Sequence, residues 1–169
     1  MSKVLEISNY ILDCLETSNI TASNLKLQKL LYFAYGICLQ SYDMKLFENQ
    51  IEAWMRGPVV ESVYKEFKNH KYNSITTRAC KESELEENES IAYKLIENAE
   101  NKNIIHALKV SCAYYGKKSA DELVSITHEP DTAWSKVYKK NISHIILNDD
   151  DILQDFNKYV PEIVDFFNK

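Results

Sequence analysis

The stretch LKLQKLLYFAYGICLQ, residues 25 to 40, limits what this chain can fold into more than any other. Leu27, Leu30, Leu31, Ala34, Ile37 and Cys38 recur at the spacing of one helical face, and Tyr32, Phe33, Tyr35 and Leu39 fill most of the remaining circumference. A helix apolar on most sides belongs in a core or in lipid. A membrane span needs about 20 apolar residues, and the run free of charge or amide, Leu30 to Leu39, is about half that. Lys26 and Lys29 sit within its first turns. A cofactor stripe would carry ligand side chains on the apolar face, and there are none. The sequence therefore predicts a mainly α fold, one compact helical domain over residues 1 to 169, built around a buried central helix at about 25 to 41.

The flanking segments supply the rest. Val4, Ile7, Ile11, Leu12 and Leu15 predict a helix over residues 3 to 16, followed by turn residues in which Thr21 or Ser23 caps the central helix. Ile51, Ala53 and Met55 alternate with Glu52, Trp54 and Arg56 and predict a short strand, stopped by Gly57-Pro58. Pro58 suits the first turn of a helix whose apolar face is Val59, Val63 and Phe67. Residues 72 to 79 and 142 to 147 are candidates for further strands, giving a minor sheet of two or three. Helices are expected at 90 to 100 and 103 to 116. Ser119 and Glu122 form a capping box for the next one, and Asp131 or Thr132 caps the helix that carries Trp134. The last helical pattern is interrupted at Pro161. With only 3 Gly and 3 Pro in 169 residues, long irregular loops are not expected.

Charge narrows the function. Net charge is −5, with 20 basic residues scattered among 25 acidic ones, and residues 81 to 90 hold five glutamates. A nucleic-acid surface concentrates cations, so nucleic acid is disfavoured as a partner. The glutamate run reads as a solvated segment or as a surface complementary to a basic partner. Four cysteines are widely spaced without a C-x-x-C pair. Cys14, Cys38 and Cys112 fall in apolar helical patterns, as buried free thiols of a reducing compartment do. Glu6 and Asp13 interrupt the N-terminal apolar pattern, so it is not a secretory leader. A cytoplasmic protein with no membrane partner is expected.

No reaction chemistry stands out. His70, His106, His128 and His144 form no H-E-x-x-H and no helical i, i+4 pair, so no metal site is expected. Nucleophile signatures and phosphate-binding glycine loops are absent, and no cofactor is expected. The chain reads as a binding protein and not an enzyme. Trp54, Arg56, Gly57 and Pro58 gather side chains typical of interface hot spots at a tight corner, which makes them candidate partner-binding residues. The same corner equally serves to lock the fold.

Four blocks in order, LKLQKLLYFAYG, LFENQIEAWMRGPVVESVYKEF, YYGKKSADELVSITHEPDTAW and ILNDDDILQDF, resemble the Panacea domain family, also met as the SocA-like, phage-associated type. The family's helix block falls on Leu25, Leu27, Gln28, Lys29, Leu30, Leu31, Tyr32 and Phe33. Its tryptophan and Gly-Pro block falls on Ala53, Trp54, Gly57, Pro58 and Val59, and its threonine-histidine block on Thr127 and His128, with Trp134 following. Leu27, Gln28, Lys29, Leu30, Tyr32, Thr127, His128 and Trp134 are expected to be structural. Met55-Arg56 stands where the family often has an aromatic before the glycine. The resemblance implies an antitoxin that neutralises a cognate protein toxin by direct contact, with delivery of the toxin to a protease complex as a further role. A transcriptional or phage-associated regulator is the alternative reading, and a small hydrolase centred on His128 and a thiol is a third.

Overall fold

The computed structural model describes residues 2–82 and 90–168. Seven α-helices and two small hairpins account for its regular structure. Helix α1 is Ser2–Thr17 and α2 is Asn24–Tyr42. The hairpin strands β1 (Glu52–Trp54) and β2 (Gly57–Val59) follow, then α3 (Glu61–Phe67), which ends in a 3-10 turn. A second hairpin, β3 (Cys80–Glu82) with β4 (Ser90–Ala92), leads to α4 (Lys102–Tyr115). The chain closes with α5 (Ala120–Thr127), α6 (Ala133–Val137) and α7 (Asp149–Phe167). Both hairpins are antiparallel.

Helix α2 is the spine, as its all-round apolarity requires. It packs on α1, α3, α4, α5, α7 and β2, and every residue from Lys26 to Cys38 is buried. Ser23 caps it, its hydroxyl accepting from the Lys26 N–H. Phe33 stacks on Tyr115 of α4 at 4.0 Å, and Tyr32 meets Phe156 of α7 edge-on at 5.7 Å. Gly36 is the point of closest approach: a Cβ there would lie 2.0 Å from the Phe156 ring. That missing methyl lets α7 cross the spine.

Several local expectations are corrected. Pro58 does not open a helix; it lies in β2, and α3 starts three residues later at Glu61. The candidate strand at 142 to 147 reduces to an isolated bridge, Ile146 to Glu52, flanked by backbone bonds from the Ala53 N–H to the Ile145 carbonyl and from the Leu147 N–H to the Ile51 carbonyl. The candidate strand at 72 to 79 reduces to an isolated bridge, Ser74 to Ser23, and the paired strand starts at Cys80. Residues 90–100 form no helix: Ser90–Ala92 pair with β3. Beyond them the Tyr93 N–H donates to the Ala79 carbonyl, and the Asn9 side-chain amide donates to the Tyr93 carbonyl. Those bonds to α1 and to the residue before β3 hold the segment extended and outweigh its helical pattern. Pro161 does not interrupt α7, because it sits on the exposed side, where water can satisfy the carbonyl it leaves free.

All four cysteines are free; Cys38 is buried, Cys14 and Cys112 are half-buried, and Cys80 is exposed. The expectation of full burial thus fails at Cys14 and Cys112. Residues 83–89, most of the glutamate run, lie outside the described residues. No described helix is long and apolar enough to cross a membrane.

Candidate functional site

The site is built where the β1–β2 hairpin leans on the N-terminal half of α2. Met55 and Arg56 make the two-residue turn, and Gly57 closes it at φ +95°, a conformation that suits glycine. Space imposes the same choice, since a Cβ on Gly57 would lie 2.6 Å from Thr127 Oγ1 and 2.8 Å from Lys29 Nζ. The next carbonyl, that of Pro58, accepts a hydrogen bond of 2.7 Å from Lys29 Nζ.

Lys29 is completely buried and makes no ion pair among the described residues. Burial pushes its ammonium well below the ordinary lysine value, and the nearby Arg56 charge pushes the same way. Gln28, one residue earlier, accepts from the Val60 N–H at 2.8 Å and donates to Asn24 Oδ1. Asn24 in turn donates to the Tyr64 carbonyl. Two adjacent polar residues of the spine thus hold both the hairpin and the start of α3. Leu27 and Leu30 are buried beside them.

A second set of contacts approaches from α5, α6 and α7. Thr127 ends α5, its hydroxyl donating to the Val124 carbonyl. His128 follows and stacks on Trp134 at 3.6 Å with the rings almost parallel; Trp134 stacks in turn on Tyr138. The Trp134 indole N–H donates to the Trp54 carbonyl at 2.7 Å, tying α6 to the hairpin. His128 Nε2 is buried without a hydrogen-bond partner. Burial, then the charges of Lys29 and Arg56, hold the His128 imidazole below its ordinary value. Thr132 caps α6, and Asp155 of α7 accepts both from the Ala133 N–H at 2.8 Å and from the Tyr32 hydroxyl at 3.1 Å. Burial raises the Asp155 carboxyl above the ordinary carboxylate value, while the bonds from Ala133 and Tyr32 pull it back.

The expected site residues therefore separate by depth. Gly57, Pro58, Lys29, Gln28, Leu27, Leu30, Tyr32, Thr127 and Trp134 are buried, and His128 is half-buried among them. Trp54 is half-buried: its indole donates to Glu52 Oε2 and its ring meets Tyr64 edge-on. Arg56 is exposed and pairs with Asp121 at the start of α5. Sequence reasoning passed over Asp155, although an acid on the face of Ile152, Phe156 and Tyr159 was a visible signal. It gave no site role to the exposed Met55, and it passed over the exposed Tyr64 and Tyr72, because nothing in the pattern marks a surface aromatic as special. No three His, Cys, Asp or Glu side chains gather as metal ligands would among the described residues.

A family profile described as antitoxin SocA-like, Panacea domain, matches residues 27–135. The chain is 31% identical over 131 residues to Antitoxin SocA of Caulobacter vibrioides (strain NA1000 / CB15N), covering 78% of this chain and 68% of that protein. No solved structure matches at a significant level. The profile spans Gln28, Lys29, Gly57, Pro58, Thr127, His128 and Trp134, the members of the buried assembly beneath the hairpin, and the chain belongs to the antitoxin SocA-like, Panacea-domain family.

Proposed function

We propose that this protein acts as an antitoxin by binding a cognate protein toxin directly, with the β1–β2 tip and its surroundings as the contact surface. Membership of an antitoxin family supports the role in general. The observation that carries the location is the contrast at the hairpin. Its base is fastened by a buried bond from Lys29, by the Trp134 indole and, just past β2, by Gln28, while Met55 at its tip is 71% exposed. A rigid support that presents an apolar side chain loses little freedom on binding, the condition under which a contact contributes most to affinity. A partner meeting this corner touches Trp54, Met55 and Arg56; Gly57 and Pro58 hold the tip from below. The His128 ring is stacked on Trp134 with its Nε2 enclosed, which supports a packing role. Neutralisation by contact, without catalysis and in the cytoplasm, is the reading these features support.

The test is co-expression with the small reading frame that neighbours this gene. Wild type is expected to restore growth and to co-purify with the toxic product. Arg56→Glu reverses a charge at the tip and should weaken both, with the fold intact by circular dichroism. Unchanged rescue by a folded Arg56→Glu protein would remove the corner from the interface, and a neighbour that is never toxic would remove the antitoxin reading. Delivery to a protease is separable: it predicts that the toxin's half-life shortens when this chain is present and returns when the host protease is deleted.

A further inference from the structure

On one side of the hairpin tip a cleft of about 570 Å³ opens between the turn, α3 and the start of α5. Its size is that of ordinary ligand clefts. Asn24 and Gln28 form the floor and are already bonded to the Tyr64 carbonyl and the Val60 N–H, so the floor is fixed. Trp54, Met55, Tyr64 and Tyr72 form the walls. Tyr72 is 87% exposed and Met55 71% exposed, and Tyr64 is held edge-on against Trp54.

The charges of this cleft run against those of the chain. Overall net charge is −5, yet the lining carries Arg56, Lys68 and Lys71 against a single acid, Asp121. Lys68 and Lys71 make no ion pair among the described residues, and Asp121 is engaged with Arg56 in an exposed pair. Such pairs exchange partners at little cost. An incoming carboxylate can therefore take the Arg56 guanidinium while the two lysines meet further acids. A nucleic acid fits less well: phosphate binding needs more neutralising cations than the two free ones here, and Asp121 stands in the wall.

Building on the proposed toxin contact, we infer that this cleft receives an acidic, aromatic- or aliphatic-bearing peptide segment of the partner. Large apolar side chains of that segment lie against Met55, Tyr64 and Tyr72, and its carboxylates face Lys68, Lys71 and Arg56. Electrostatic attraction at this basic place also orients the approach, since the chain as a whole is acidic on balance.

A random peptide library displayed on phage and selected against the full chain tests this. The expected winners carry net negative charge with large apolar residues between the acids. Synthetic copies should bind at least tenfold more weakly to Lys68→Glu/Lys71→Glu, and binding to wild type should weaken as salt is raised. Lys68→Gln/Lys71→Gln should fall between, and thermal melts should show both variants folded, because these side chains lie on the surface. Winners that are neutral or basic, winners indifferent to the charge reversal, or no winners at all would overturn the inference. So would tighter binding of an oligothymidylate probe than of the acidic peptides, or self-association through this face. The antitoxin reading is scored separately by growth rescue. Rescue retained by Lys68→Glu/Lys71→Glu places the toxin elsewhere and sinks the cleft's assignment alone. Acidic peptides that bind a chain rescuing no toxin sink the antitoxin role and leave the cleft's chemistry standing.

Discussion

The base and the tip of the β1–β2 hairpin are a few residues apart and obey opposite rules. At the base, Gly57 has no room for a methyl, and the Pro58 carbonyl is held by a lysine that water does not reach. At the tip, Met55 and Arg56 project into solvent, and the ion pair of Arg56 with Asp121 is exposed on both sides and contributes little. Packing and hydrogen bonding decide which residues the base accepts, because an unmet polar group or a lost fit there is costly. No such force acts at the tip. The difference teaches that one short motif can specify a shape below and leave the identity above it free, which is what a scaffold for contact with another protein needs.

The comparison breaks most readily at Gly57. Gly57→Ala forces a side chain into φ +95° and against Thr127 and Lys29 together. The expected loss is about 2–4 kcal/mol of unfolding free energy, combining backbone strain with overpacking; urea unfolding measures it. A loss below about 0.5 kcal/mol would mean that the base is as permissive as the tip. Trp134→Phe is the next step down. It keeps an aromatic ring beside His128 but removes the N–H that the Trp54 carbonyl accepts, and about 1–2 kcal/mol should go with it.

The two halves also differed in how far they could be read from the sequence. The spine was legible because ten apolar residues around one helix leave no soluble alternative to burial, and the Ser119–Glu122 capping box formed as its spacing required. The role of Lys29 was not legible. A lysine early in a helix reads as a solvated end, and only the return of the Pro58 carbonyl, 29 residues away in sequence, turns it into an internal strut. Pro58 misled for the same reason: its fixed φ suits a strand edge as well as a helix start, and the pairing with Ala53 decided between them. Residues 90–100 carry a helical pattern that the bonds of the Tyr93 backbone to the Ala79 carbonyl and the Asn9 side-chain amide override. Tyr72 and Met55 were invisible as a pair because the wall they form joins a hairpin to the segment just beyond the 3-10 turn that follows α3.

Acid sharpens the contrast with a smaller effect. The His128 imidazole is held below its ordinary value near 6.5, whereas in the unfolded chain it titrates near that value. Between the two values the unfolded state binds the extra proton, so this residue makes stability fall as pH drops from about 7 and level off below the folded value. His128→Phe keeps a ring for Trp134 to stack on and removes both the titration and the unpartnered Nε2. The variant should be at least as stable as wild type at pH 7, and its melting temperature should fall less than wild type's between pH 7 and pH 5. An equal fall in both proteins would place the sensitivity outside the base.

The smallest expected change in stability belongs to the tip. Met55→Ser and Tyr72→Ser remove exposed apolar surface and break no hydrogen bond, so each should alter unfolding free energy by no more than about 0.5 kcal/mol. Their effect should lie instead in partner binding, because removing both walls of the cleft takes away the apolar surface a bound segment would cover. The double variant should keep the wild-type urea midpoint and lose at least tenfold in affinity for the selected acidic peptides, measured by fluorescence anisotropy. Loss of stability without loss of binding would invert the division between base and tip, because the exposed side chains would then be holding the fold and the partner would be meeting another face.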